Sequence, residues 1–79
     1  MKTIPPNPPT ASQVLDAYFL EVRARLIEIA ATLDRVDRAP GRQALQGDSR
    51  LDFIARSLAV LQAAGPDRAR QIQELYSIS

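Results

Sequence analysis

The fold of this chain is decided by residues 11–39, ASQVLDAYFLEVRARLIEIAATLDRVDRA. Apolar side chains recur there at alternating intervals of four and three residues, the spacing that aligns side chains along one face of an α-helix. We call this row the heptad seam, and its members are Leu15, Phe19, Val22, Leu26, Ile29, Leu33 and Val36. The spacing predicts one long helix with a face that must be buried.

The same segment carries a second apolar row, which we call the second stripe. It follows the same three-four alternation and consists of Ala17, Leu20, Ala24, Ile27 and Ala31. At about 100° per residue, the centre of the second stripe lies roughly 150° around the helix from the heptad seam. A helix that is apolar on two opposite sides is typical of an element lying between two layers of structure.

Capping residues and breakers predict where the helices begin and end. Thr10 or Ser12 can cap the first helix, and Pro40-Gly41 ends it near residue 39. Asp48 is the predicted N-cap of a second helix over about 49–64. After the turn at Gly65-Pro66-Asp67, a third helix should run over about 66–76, with Pro66 in its first turn.

These elements predict an all-α protein with a simple domain organisation. Residues 1–9 hold Pro5, Pro6, Pro8 and Pro9, which exclude helix and favour an extended arm. The remainder, residues 10–79, should form a single three-helix domain. A chain of 79 residues without cysteine is near the size at which one core is marginal, so a second subunit is the expected source of extra stability.

The helix lengths suggest how the three helices pack. The long helix should be about 40 Å long, and the two shorter helices together also about 40 Å. We therefore expect the long N-terminal helix to pack antiparallel against the two shorter helices placed end to end. Their residues facing the heptad seam would be Leu51, Ile54, Leu58, Leu61, Ala69, Ile72 and Tyr76. In the alternative, a three-helix bundle, the shorter helices fold back on each other and flank the long one.

The end-to-end arrangement leaves the second stripe exposed, which favours its use in protein–protein contact. Alanine side chains allow two helix axes to approach closely, so we expect a two-fold antiparallel contact between two copies centred near Ala24. The predicted interface residues are Ala17, Leu20, Ala24, Ile27 and Ala31. The sequence thus predicts a small interaction or oligomerisation module that forms a multi-helix homodimer, or that binds another, unidentified protein.

Composition argues against catalysis and against bound cofactors. The chain has no His and no Cys, so the usual acid–base groups, nucleophiles and ligands of soft metals are missing. Its three glycines form no phosphate-binding loop. We expect neither an enzyme nor a metal or cofactor site.

Nucleic-acid binding is the alternative function. The second and third helices and the turn between them resemble in outline a helix-turn-helix, with Arg68, Arg70, Gln71 and Gln73 on the candidate recognition helix. The formal net charge of only +1, together with Asp67 and Glu74 beside those arginines, argues against it. The segment after Met1 lacks the apolar region of a signal peptide, and no apolar run is long enough for a membrane span, which predicts a cytoplasmic location.

Overall fold

A computed structural model describes residues 7–77 of the chain, and for Ser77 its backbone alone. The elements in chain order are α1 (Ala11–Arg38), a short 3-10 helix (Arg42–Leu45), α2 (Ser49–Gln62) and α3 (Arg68–Ser77). There is no β-strand among the described residues, so the predicted all-α class with three α-helices is confirmed. Most of the predicted Pro-rich arm, residues 1–6, lies outside the described residues; residues 7–9 are exposed and non-helical.

The start of α1 is fixed by a reciprocal cap. The Thr10 hydroxyl accepts a hydrogen bond from the Gln13 backbone N–H at 3.2 Å, and the Gln13 side chain accepts one from the Thr10 N–H at 2.9 Å. This capping box satisfies two of the helix's first N–H groups. At the other end Ala39 is extended, Pro40 cannot continue the helix, and Gly41 has a φ of 87°, a left-handed conformation that glycine tolerates.

Asp48 caps α2, as the sequence predicts. Its carboxylate accepts hydrogen bonds from the Arg50 backbone N–H at 2.8 Å and from the Arg50 guanidinium at 2.8 and 3.0 Å. These bonds lower the pKa of Asp48 to about 2, and the bonds from the Arg50 side chain have the largest effect. The N-terminus of α2 is thus held by a charged group that complements the helix dipole.

α2 and α3 fold back on each other as a helical hairpin, so the expected end-to-end arrangement is wrong. The rings of Phe53 and Tyr76 meet edge to face with centroids 5.6 Å apart. Placed end to end, the two residues would be separated by at least about 25 Å. Gly65, with a φ of 120°, permits the reversal, and the Arg68 guanidinium donates a hydrogen bond to the Ala63 carbonyl at 3.0 Å across the turn.

The turn is longer than the sequence suggests because both helices stop short of it. Ala63 is already extended, so α2 ends at Gln62 rather than at residue 64. The Asp67 carbonyl accepts the first helical hydrogen bond of α3, from the Gln71 N–H. Pro66 therefore precedes α3 instead of lying in its first turn.

The chain divides into two compact units, Met1–Pro40 and Gly41–Ser79. The first is built on α1, and the second on the 3-10 helix and the α2–α3 hairpin. Within residues 7–76 no residue is fully buried in either unit. The single domain over 10–79 stays a prediction.

Candidate functional site

α1 is solvent-exposed along its whole length although much of its surface is apolar. Of its 28 residues, all of which the structure describes, none is buried. Nine large apolar side chains on this one helix are each at least 41% exposed. They are Val14, Leu15, Tyr18, Phe19, Leu20, Val22, Leu26, Ile27 and Ile29. Since monomeric proteins rarely expose contiguous apolar surface of this kind, α1 is the candidate interaction site.

The second stripe lies on this exposed surface. Leu20 is 76% exposed, the most of any large apolar side chain that the structure describes, and Ile27 is 50% exposed. Ala24 and Ala31 are exposed, and Ala17 is half-buried. All five predicted interface residues thus lie on one helix, and the two large ones are accessible to a partner.

The order of residues in the second stripe is symmetric about Ala24. Reading outward in either direction from Ala24, a large side chain comes first (Leu20 or Ile27) and an alanine second (Ala17 or Ala31). Two copies placed antiparallel about Ala24 therefore set Leu20 against Ile27 of the partner, and alanine against alanine. A two-fold interface needs this kind of self-complementary surface.

The heptad seam is exposed as well, but unevenly. Leu15 is 62% exposed and Ile29 is 41% exposed, whereas Leu33 and Val36 are half-buried. Polar side chains separate the seam from the second stripe, among them Glu21 and Arg25, whose charged groups are 3.8 Å apart. The two apolar surfaces of α1 are therefore distinct.

The hairpin presents an open apolar groove of about 510 Å³ between α2 and α3. Its lining includes Phe53, Ile54, Leu75 and Tyr76. Phe53 is not among the residues predicted to face the heptad seam, although Phe53, Ser57 and Val60 repeat at helical spacing and all three are half-buried. An apolar pattern does not include this row because serine is a polar residue. In the structure the Ser57 hydroxyl donates a hydrogen bond to the Phe53 carbonyl at 2.8 Å within the helix.

The candidate nucleic-acid-binding residues lie together on α3, but both arginines are engaged within the protein. Arg68 donates to the Ala63 carbonyl, and Arg70 donates to Asp67 at 3.2 Å and to Glu74 at 3.0 Å. The hydrogen bond to Asp67, followed by the charge of Glu74, raises the pKa of Arg70. Gln71 and Gln73 are exposed on the same helix. Arg70, whose charge is offset by two carboxylates, contributes little to phosphate attraction, whereas Arg68 keeps its charge.

Between residues 7 and 77 no group of three or more potential metal-ligating side chains comes together. In the same part of the chain, no helix has the length and apolar character needed to cross a membrane. No protein-family model matches the chain, and comparisons with curated proteins and with solved structures give no match either. The functional argument therefore rests on the surfaces described above.

Proposed function

We propose that this protein is a small helical oligomerisation module without catalytic activity, and that its partner is a second copy of itself. The observation that carries the proposal is the second stripe, an exposed apolar row whose sizes are symmetric about Ala24. The alanines let the two helix axes approach closely, and Leu20 and Ile27 supply the apolar area.

In the proposed homodimer, α1 of each copy pairs antiparallel with α1 of the other through the second stripe. In this proposal the heptad seam of each α1 packs against an α2–α3 hairpin, with α2 antiparallel to α1, which gives a six-helix assembly. Support for this arrangement comes from the burial pattern, since neither compact unit has a fully buried residue among those described, and a stable fold needs such residues. A cytoplasmic location is the prediction that accompanies this proposal.

The test is the absolute mass of the protein by size-exclusion chromatography with light scattering, over a hundredfold range of chain concentration. We expect the wild type to be a dimer. Ala24→Arg places a long charged side chain at the closest approach of the two helices, so this variant should be monomeric at concentrations where the wild type is dimeric.

Thr32→Arg is the matched control, because it introduces the same side chain on the polar flank of the same helix. It should leave the dimer intact. A wild type that is monomeric throughout, or an Ala24→Arg variant that stays dimeric with unchanged helicity, would refute the proposal.

A further inference from the structure

Two grooves of the hairpin share the rings of Phe53 and Tyr76. One is the hairpin groove described above, and the other, of about 540 Å³, is lined also by Ile72 and Gln73. Because the same two rings line both grooves, the grooves adjoin. Tyr76 is 71% exposed, so its ring is accessible to a ligand. The hairpin thus presents an open aromatic surface bordered by two grooves.

The charged side chains around these grooves are paired with one another. The pairs are Asp48 with Arg50 at 2.8 Å, Asp52 with Arg56 at 3.0 Å and Glu74 with Arg70 at 3.0 Å. Since each charge is offset by a neighbour of opposite sign, the surface favours an uncharged ligand over an acidic or a basic one.

The Pro-rich arm is an uncharged segment of suitable shape. Residues 3–9, TIPPNPP, carry no charged side chain. Polyproline II has three residues per turn and rises about 3.1 Å per residue, so Pro5 and Pro8 lie on one side of the arm, about 9 Å apart. Pro6 and Pro9 lie together on the adjacent side. Segments with this spacing bind aromatic-lined grooves, and their preformed shape limits the entropy that binding costs.

Chain connectivity favours the arm of the partner subunit over the chain's own arm. In the proposed dimer, residues equally far from Ala24 lie side by side, so Thr10 of the partner subunit, where its arm meets α1, lies beside Arg38. The connection from Arg38 to Ser49, which lines the hairpin groove, includes the 3-10 helix and a hydrogen-bonded turn, and it spans at most about 30 Å. The chain's own arm meets α1 at its opposite end, about 42 Å from Arg38. The partner's arm therefore has the higher effective concentration at the groove, whatever the arrangement of the two units.

We infer that the Pro-rich arm of each copy binds the aromatic surface of the other copy's hairpin, with one Pro-Pro pair in each groove. This inference rests on the proposed antiparallel homodimer. The two arms add contacts to the interface, so the affinity of the dimer depends on the arms as well as on the second stripe. Asn7 lies on the third side of a polyproline II arm, away from the prolines that enter the grooves.

Isotope-filtered NMR of the full chain, with labelled and unlabelled copies mixed in one dimer, tests the contact. We expect intermolecular signals between proline ring protons of one copy and the Tyr76 ring of the other. Intermolecular signals from the methyl groups of α1 in place of the prolines would assign the grooves to the partner's helix and overturn the inference.

The double variant Pro5→Ala/Pro8→Ala removes one proline from each pair and keeps Pro9 next to the Thr10 cap. It should lose the intermolecular signals, shift the Tyr76 resonances and raise the dissociation constant of the dimer by about tenfold, measured by analytical ultracentrifugation. Asn7→Ala is the matched control and should change none of the three. Circular dichroism establishes that both variants keep the helicity of the wild type.

A wild-type dimer in which the arm gives no signal to the hairpin, or gives one only within the same chain, overturns the inference and leaves the homodimer standing. Equal effects of the double variant and of Asn7→Ala on the dimer have the same meaning. A monomeric wild type overturns both the inference and the proposed function.

Discussion

α1 and the α2–α3 hairpin differ in how much of their apolar surface is buried within their own unit. α1 is a single helix of 28 residues, and its two apolar rows have no covering layer in its own unit. The hairpin uses a glycine turn to bring two helices together, and seven of its residues become half-buried: Leu51, Phe53, Ile54, Ser57, Val60, Ile72 and Leu75. The difference shows that helices form from local signals, whereas burial needs a second element. Neither unit reaches a complete core by itself.

The largest expected effect comes from a substitution in the heptad seam of α1. Leu26 is 51% exposed in the single chain, but it lies in the middle of the heptad seam that the proposed assembly buries. Leu26→Ala should lower the free energy of unfolding by about 2–4 kcal/mol at fixed chain concentration, the usual result of truncating a core leucine. Urea denaturation followed by circular dichroism measures it.

Thr32→Ala, on the polar flank of the same helix, is the control and should change the free energy of unfolding by no more than about 0.5 kcal/mol. If Leu26→Ala has an equally small effect, the seam stays in water in solution, and the layered assembly is wrong.

The next effect concerns the hairpin. Phe53→Ala removes the ring that meets Tyr76 edge to face, and it should lower the free energy of unfolding by about 1–3 kcal/mol, less than full burial would give because Phe53 is only half-buried. Phe53→Leu keeps most of the apolar volume and should lose less. Both are measured by urea denaturation, and the NMR signals of Tyr76 should shift in each variant. Unshifted Tyr76 signals would contradict the hairpin contact.

The smallest expected effect concerns the N-terminal caps of α1 and α2. α1 is capped by neutral groups, whereas α2 is capped by a charged carboxylate. In the folded protein the pKa of Asp48 is about 2, below its ordinary value of 3.8, so the contribution of this cap is complete above pH 3.8 and is lost as pH falls through about 2. Arg50→Gln removes the side-chain hydrogen bond from Arg50, which lowers the pKa of Asp48 most, and should raise this pKa towards 3.8.

NMR titration of the Asp48 carboxyl carbon measures this shift. The backbone N–H of residue 50 still donates in the variant, so the pKa should stop short of 3.8. If Asp48 of the wild type titrates at its ordinary pKa, Arg50 does not lower that pKa. The Thr10 cap of α1 should show no such dependence on pH, since both of its partners are neutral.

The sequence predicts the helices of this protein better than their arrangement. Heptad spacing predicts α1, and Pro40-Gly41 places its end to within one residue. Thr10 is one of two candidate caps of α1, and Asp48 is the predicted cap of α2, both from their hydrogen-bonding chemistry. The sequence leaves the reversal between α2 and α3 as the alternative, because the summed helix lengths favour an extended arrangement. In the structure the reversal is accompanied by the positive φ of Gly65 and by the hydrogen bond from Arg68 to the Ala63 carbonyl, which no apolar pattern reveals.

The candidate site also has one part that the sequence predicts and one part that it does not. The five residues of the second stripe could be selected from spacing alone, because all lie on one helix. The hairpin groove could not, since it depends on Phe53 and Tyr76 meeting across the turn and on a serine that satisfies its hydroxyl within its own helix. The occupant of either surface stays a prediction.

The lack of any fully buried residue among those described has a kinetic consequence. In the proposed assembly the core forms only when two chains meet, so the rate-limiting step of folding is bimolecular, and refolding should accelerate as chain concentration rises. If the proposed homodimer forms, a newly made copy without a partner would expose cleavable backbone to proteases until it pairs. The amount of this protein in a cell would then respond steeply to its rate of synthesis, since scarce chains are degraded and abundant ones protect each other.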